Sequence, residues 1–173
     1  GEKAFVSAEK ITLKNKNSIN GVDGAGSGEL YLIADSMEIG GGAFKLSGFD
    51  TANLTVKQSM TGVGDSVLTS LGDLSITSGY LTGATGSKTT IDASGHNLSI
   101  AATQEVQMPN RVGIAAELNL IADEVTIDAP LLFRSGVVRA EAKTGDVVLA
   151  DNGLIDVSGT VVTAGLSDPI HLQ

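Results

Sequence analysis

One pattern occurs twice in this chain. The segment from Glu29 to Phe44 reads ELYLIADSMEIGGGAF, and the segment from Glu117 to Leu132 reads ELNLIADEVTIDAPLL, with Glu, Leu, Leu, Ile, Ala, Asp and Ile at matching positions. The two starts differ by 117 − 29 = 88 residues, which is four units of 22. Because about 22 residues form one turn of a parallel β-helix, this offset predicts a solenoid whose coils stack along one axis.

Pairs of aliphatic residues with one residue between them recur along the chain at a spacing close to this unit of 22 residues. Such pairs are typical of short strands, in which alternate side chains share a face. Successive pairs start 19, 24, 20, 24, 20 and 29 residues apart, so we expect one pair per coil and one axial row of stacked side chains. The row comprises Ile11/Leu13, Leu30/Leu32, Leu54/Val56, Leu74/Ile76, Leu98/Ile100, Leu118/Leu120 and Val147/Leu149.

Further pairs predict a second and a third side of each coil. The second row follows seven or eight residues behind the first, and Phe44/Leu46 starts a third. Three parallel strands per coil describe a triangular, all-β fold, a right-handed single-stranded parallel β-helix of about seven coils of roughly 20–24 residues. Amphipathic helical spacing is absent, so we expect little or no helix. The second row comprises Met37/Ile39, Val106/Met108, Val125/Ile127 and Ile155/Val157.

Turn-forming residues separate the predicted strands. Gly, Asp, Asn and Ser supply positive φ angles or bond to their own backbone, as at Gly40–Gly42 and Asp92–Gly95. Two stretches are irregular: 15–28 is rich in Asn and Gly, and 131–144 has room for an extra loop or for a strand through 137–140. No proline interrupts a core pair, as a sheet requires; the three are Pro109, Pro130 and Pro169.

Composition restricts the classes of function. Aromatic residues are only 3% of the chain, which suits a narrow aliphatic core better than a large open-sheet enzyme. A net charge of −9 disfavours binding to phosphate backbones and anionic lipids. There is no cysteine and no apolar run of the roughly 20 residues that span a bilayer. We expect residues 1–173 to form one β-helix segment of a longer protein.

Turn aspartates are the first candidates for chemistry. Asp35 and Asp123 are equivalent in the two repeats, and stacked carboxylates can share a divalent ion or cleave glycosides. A turn-forming role explains the same positions more simply, and it also covers Asp73, Asp146 and Asp151. The segment Gly21–Gly26 has neither the helix of a phosphate loop nor the tandem repeats of a calcium roll, so it is expected to be a plain loop.

The remaining candidates are equally unspecific. His96 and His171 lack a recognisable catalytic partner motif and are expected on the surface. The outward residues of the first row are expected to be mixed, which excludes a periodic ligand lattice, although this mildly polar face could lie against a protein or glycan. These residues are Tyr31, Thr55, Ser75, Ser99, Asn119 and Val148. We predict no catalytic, cofactor-binding or metal-binding residue and no cofactor.

Several segments resemble the repeats of filamentous haemagglutinin-like exoproteins, which are large bacterial surface adhesins secreted through an outer-membrane partner. The resemblance rests on 97–100 (NLSI), 72–76 (GDLSI), 90–95 (TIDASG) and 154–159 (LIDVSG). No counterpart of the family's secretion module or of a cell-binding tip is present. The resemblance therefore implies a secreted or cell-surface location and a piece of the shaft.

The expected function is structural: a non-enzymatic shaft module of a secreted bacterial adhesin that supports adhesion or presents distal domains. Its expected partners are flanking coils or other copies end to end, an outer-membrane secretion partner and host or matrix glycans or proteins, but not nucleic acid or a membrane interior. One alternative is a carbohydrate-active β-helix enzyme, a lyase or glycosidase. Another is a segment of a phage or extracellular fibre.

Overall fold

The computed structural model describes residues 1–15, 26–104 and 107–160, and in these ranges every regular element is a β-strand. All strand pairs are parallel and belong to one sheet system. The absence of helix in the described ranges confirms the predicted all-β class. The strands are β1 (Lys3–Leu13), β2 (Gly28–Ile39), β3 (Gly42–Leu46), β4 (Phe49–Gly62), β5 (Asp65–Ser70), β6 (Asp73–Gly83), β7 (Lys88–Ala102), β8 (Glu117–Asp128), β9 (Pro130–Leu132), β10 (Val137–Ala142), β11 (Val147–Leu149) and β12 (Leu154–Asp156).

The strands stack as three faces, which we name A, B and C, and each strand segment within a face is a rung. Face A has the seven rungs 3–8, 29–34, 51–56, 73–78, 97–102, 124–128 and 147–149. Face B has the six rungs 10–13, 36–39, 59–62, 80–83, 130–132 and 154–156. Face C has the five rungs 42–46, 65–70, 88–93, 117–122 and 137–142. The chain is therefore a β-solenoid of about six turns with three strands per coil, which matches the predicted parallel β-helix.

Long strands turn the corners of the triangle without ending. β2, β4 and β6 each run from face A into face B, whereas β7 and β8 run from face C into face A. Register shifts mark these corners, for example between Val56 and Ser59 in β4 and between Ala93 and Asn97 in β7. Such irregularities bend a strand locally while the pairing on each side continues.

The predicted axial row is wrong in register. Of the first residues of its pairs, only Leu74 and Leu98 are direct neighbours. Leu30 pairs with Ala52, two residues from the expected partner. Leu118 lies on face C, where it pairs with Thr89. The solenoid still forms because most inward positions of the rungs carry aliphatic residues, so a different register fills the same core.

The two similar segments consequently occupy different faces. Glu29–Ala34 forms a rung of face A, whereas Glu117–Ala122 forms a rung of face C. The 88-residue offset therefore corresponds to three coils and two further sides, not to four complete coils. Similar sequences can form different sides because all three sides need the same alternation of apolar and polar residues.

Other members of the predicted rows also lie elsewhere. Ile11/Leu13 pair with Met37/Ile39 on face B, and Val125/Ile127 lie on face A. Met108 belongs to no strand and is 47% exposed, Val157 follows the end of β12, and Val106 is outside the described residues. Phe44/Leu46 do form a rung of face C, as predicted, and the irregular stretch 131–144, for which an extra loop or a strand is expected, contains the strand β10.

The core is a column of aliphatic side chains. On face A, Leu54, Ile76, Ile100 and Ile127 follow one another along the axis, and all are at most 1% exposed. Complete burial of one such side chain contributes roughly 1.5–3 kcal/mol. A single aromatic side chain, Phe133, joins the fully buried set. The stability of the described part of the chain is therefore the sum of many small contributions from buried aliphatic side chains.

One rung is missing from face B. Leu81 and Thr82 of β6 pair directly with Leu131 and Leu132 of β9, although faces A and C each have a further rung between these levels. The corresponding part of that coil, 103–116, contains no strand among its described residues. We call 103–116 the insertion. Because strands lie about 4.8 Å apart, face B is one spacing shorter here, and the axis must bend toward it or the rungs must splay.

Candidate functional site

The insertion crosses the outside of face B and is attached at both ends. Thr103 N donates to Ser78 O (3.2 Å) at the corner between faces A and B. At the corner between faces B and C, Gly86 N donates to Ile114 O (3.0 Å). These contacts hold both ends of the insertion against the preceding coil. In the described chain, the insertion is the main interruption of the outward-facing rows of side chains, and two clefts lie along it.

Arg134 connects the insertion to the last coil. Its Nε lies 3.2 Å from Asp156 Oδ2, its Nη1 donates to Asn110 O (3.4 Å), and its carbonyl oxygen accepts a bond from Ala115 N (3.2 Å). The pKa of Asp156 lies below its ordinary value because Ser158 donates to the carboxylate, and the Arg134 charge lowers the pKa further. This group of contacts stabilises the corner at which β12 ends.

We expect acid to remove the stabilisation that Asp156 provides. A carboxyl whose pKa is lower in the folded than in the unfolded chain stabilises the fold above its unfolded pKa, and the effect is lost as the pH falls through the folded pKa. Asp156→Asn should therefore lower the melting temperature at pH 7 by about 2–4 °C, the shift expected for roughly 1 kcal/mol. The difference from the parent should shrink as the pH falls and vanish below the pKa of Asp156 in the folded chain, which lies under its ordinary value. Thermal unfolding followed by circular dichroism from pH 7 downwards measures this difference in melting temperature. A difference that persists at the lowest pH would contradict the prediction.

A polar cleft of about 400 Å³ lies beside the insertion on its N-terminal side. It is lined by Lys57, Gln58, Gly79, Tyr80 and Gln107. The floor is the buried Gly79, where a Cβ would come within 2.3 Å of Gln58 O. Tyr80 is on an outward position of face B and is half-buried, so its ring forms one wall, and Gln107 of the insertion forms another.

The polar groups of this cleft differ in whether they already form an ion pair or a hydrogen bond within the protein. Lys57 Nζ binds Asp35 Oδ1 at 2.8 Å, and this contact raises the pKa of Lys57. Within the described residues, no hydrogen bond engages the Tyr80 hydroxyl or the side-chain amides of Gln58 and Gln107. The cleft therefore combines a compensated charge with donors and acceptors that are free for a ligand.

A second cleft, of about 550 Å³, lies on the other side of the insertion. It is lined by Ala102, Thr103, Gln104, Met108, Pro130, Asn152 and Leu154. Leu154 belongs to the last coil, where several inward-facing aliphatic residues, such as Leu149 at 54% exposure, are open. The surface that adjoins this cleft is therefore one that a further coil would cover.

The predicted candidate aspartates serve the turns and the coil contacts. Asp73 Oδ1 accepts a bond from Asn97 N (2.9 Å), and Asp123 Oδ1 accepts one from Gly95 N (2.8 Å), so each carboxylate links neighbouring coils. Asp35 and Asp123 are at different corners and are not stacked. Asp146 contributes a backbone acceptor to Val125 N, and Asp151 is exposed in a turn. In the described ranges no three His, Asp or Glu side chains form a group that could hold a metal ion.

The other candidates of the sequence do not assemble into a site either. His96 lies on the surface, with Nδ1 3.9 Å from Asp73 Oδ1. His171 and residues 21–25 of the glycine segment lie outside the described residues. Gly26 is described, and a Cβ there would collide with Gly48 O at 1.8 Å, so glycine permits close contact between two stretches of backbone.

The outward row of face A is mixed, as predicted, but two of its predicted members are wrong. Thr55 occupies a neighbouring row of the same face, and Asn119 lies on face C. Phe5 and Tyr31 stack with centroids 4.8 Å apart at the N-terminal end of the row. The Tyr31 hydroxyl donates to Glu29, which lowers the pKa of Glu29 and raises that of Tyr31. The observed row is Phe5, Tyr31, Asn53, Ser75, Ser99, Thr126 and Val148.

The sequence patterns do not predict the insertion. The spacing of 20 residues between Leu98 and Leu118 equals that of one ordinary coil, although Leu118 belongs to face C and Leu98 to face A. One signal was available: Pro109-Asn110 interrupts the apolar alternation in the middle of 103–116.

Comparisons with protein-family models, with curated proteins and with solved structures found no match. The described residues also contain no helix with the length and apolar character needed to cross a bilayer. The class of this protein is therefore defined by its fold, a β-solenoid of three-sided coils.

Proposed function

We propose that this chain is a structural shaft module of an extracellular bacterial fibre or adhesin, which holds other parts of an assembly at a fixed distance. The observation that carries the proposal is the unbroken series of parallel rungs, seven on face A, whose inward side chains form one mostly aliphatic column. Each coil contacts only its neighbours, so length can be extended by adding coils without a new core. This is the property that a shaft requires.

The resemblance of several segments to filamentous haemagglutinin-like repeats supports the extracellular assignment. The acidic surface and the absence of cysteine are compatible with a secreted, disulfide-free rod. The partners in this proposal are flanking coils or further copies, because the last described coil leaves Val147, Leu149 and Leu154 from 45 to 54% exposed. A sheet edge of this kind forms backbone hydrogen bonds with an added strand. Sedimentation velocity should detect concentration-dependent association that Leu149→Lys abolishes and Thr55→Lys, on an outward row, does not; a monomeric parent would contradict this partner assignment.

A cell-surface location is the main test of the proposal. Intact cells that produce the protein are treated with an added protease, and the chain is then detected with an antiserum raised against residues 1–173. We expect the detected chain to be cleaved in intact cells, while a cytoplasmic marker in the same sample stays whole. Protection of the chain until the cells are lysed would contradict the proposal.

A further inference from the structure

From the geometry of the cleft beside Tyr80 we infer a saccharide-binding subsite for neutral pyranose rings. This inference goes beyond the shaft proposal and does not depend on it, because the cleft belongs to the solenoid itself. Three observations carry it: a concave surface with a glycine floor, an aromatic wall, and side-chain amides that are free to bind.

The shape of the cleft suits a small polar ring. Its volume of about 400 Å³ lies within the usual range of roughly 300–1,000 Å³ for small-molecule sites. Gly79 leaves the floor without a side chain, and any replacement would collide with the backbone of Gln58. A flat ring can therefore reach the bottom of the cleft beside the ring of Tyr80.

The chemistry of the cleft suits hydroxyl groups. A pyranose has an apolar C–H face that can lie on an aromatic ring, and Tyr80 offers such a ring together with a polar tip. Gln58 and Gln107 each provide a carbonyl oxygen and an NH₂ group, so they can accept from and donate to the same sugar hydroxyls. These groups make no hydrogen bond within the described protein, so binding does not have to break one.

The charges of the cleft favour a neutral sugar over an acidic one. Among the described lining residues Lys57 alone is charged, and Asp35 already compensates it at 2.8 Å. A uronate would have to compete with Asp35 for this ammonium group. The described lining residues include no carboxylate, and glycoside hydrolysis by the common route requires two, so the inferred activity is binding without cleavage.

Tyrosine fluorescence provides a direct test. The chain has two tyrosines and no tryptophan, so in a Tyr31→Phe background Tyr80 is the only emitter. Titration with neutral oligosaccharides, such as oligomers of glucose and of N-acetylglucosamine, should change the Tyr80 emission and saturate. Free N-acetyltyrosinamide serves as the control for nonspecific effects. An equal change in this control, or no saturable change with any oligosaccharide in the panel, would overturn the inference.

Variants of the lining sharpen the test. Tyr80→Ala, followed by calorimetry because the emitter is removed, should weaken binding more than tenfold, and Gln58→Ala or Gln107→Ala several-fold each. Asp35→Asn frees Lys57 and should improve binding of a uronate oligomer relative to a neutral one. Phe5→Ala, on face A, should leave binding unchanged. Binding that survives Tyr80→Ala, or that is lost with Phe5→Ala in a folded protein, would overturn the assignment to this cleft.

Discussion

Replacing Ile76 by alanine should lower the free energy of unfolding by about 2–5 kcal/mol, the range measured when large aliphatic residues are truncated in tight cores. Ile76 is fully buried on face A, between Leu54 of the preceding coil and Ile100 of the following one. Truncation removes contacts on both sides of the rung, and neighbouring coils cannot collapse into the gap because their backbone spacing is fixed by the ladder. The cavity therefore stays open.

Ile33→Ala is the matched control for this truncation. Ile33 belongs to the same face but points outward and is 38% exposed. The same change of side chain should cost well under half as much there, since part of the apolar surface is already in water. Urea denaturation followed by far-UV circular dichroism measures both variants. Equal shifts of the two midpoints would contradict the assignment of Ile76 to the axial column.

The second large effect is expected at a corner. Gly72 is buried where face C turns into face A, and a Cβ at this position would lie 2.3 Å from Asp50 O and 2.5 Å from Phe49 O. Contacts below 3.0 Å require movement, and here the obstacles are backbone atoms of the preceding coil. Gly72→Ala should therefore destabilise the fold by roughly 1–3 kcal/mol, as overpacking does in other cores.

Gly41→Ala is the control for the corner. Gly41 also lies at a corner of the coil, but a Cβ there meets only Asp65 O, at an ordinary distance of 3.8 Å. The substitution should be nearly neutral or slightly stabilising, because alanine restricts the unfolded chain more than glycine does. Thermal and urea unfolding of both variants compare the two corners. A Gly72→Ala protein as stable as Gly41→Ala would show that the corner of this coil does not contact its neighbour as described.

The alternation of apolar residues was enough to predict the class of fold. A pair such as Leu74/Ile76 determines which side of its strand faces inward, and this depends only on residues two apart. The repeated use of such pairs, with Gly, Asp and Asn between them, predicts short strands joined by corners. A three-sided parallel solenoid follows, and the structure confirms it.

Register was not predictable in the same way. Leu30 and Leu118 have nearly identical sequence surroundings, yet one lies on face A and the other on face C. Each side of the coil accepts the same alternating pattern, so local sequence does not identify the side. Which face a strand joins depends on where the preceding corners and loops place the chain, and this placement depends on the whole stack of coils.

The candidate saccharide cleft, like the register, could not be predicted from the sequence. Its residues Lys57, Tyr80 and Gln107 are far apart in sequence and carry no motif. They meet because Leu81 pairs with Leu131, fifty residues away, which excludes the insertion from face B and lays it across the outside. The sequence by itself determined the coil, because inward and outward positions follow from neighbouring residues. Only the tertiary structure decided which coils touch and where a cleft opens, because pairing between distant rungs selects one register among several with the same apolar pattern.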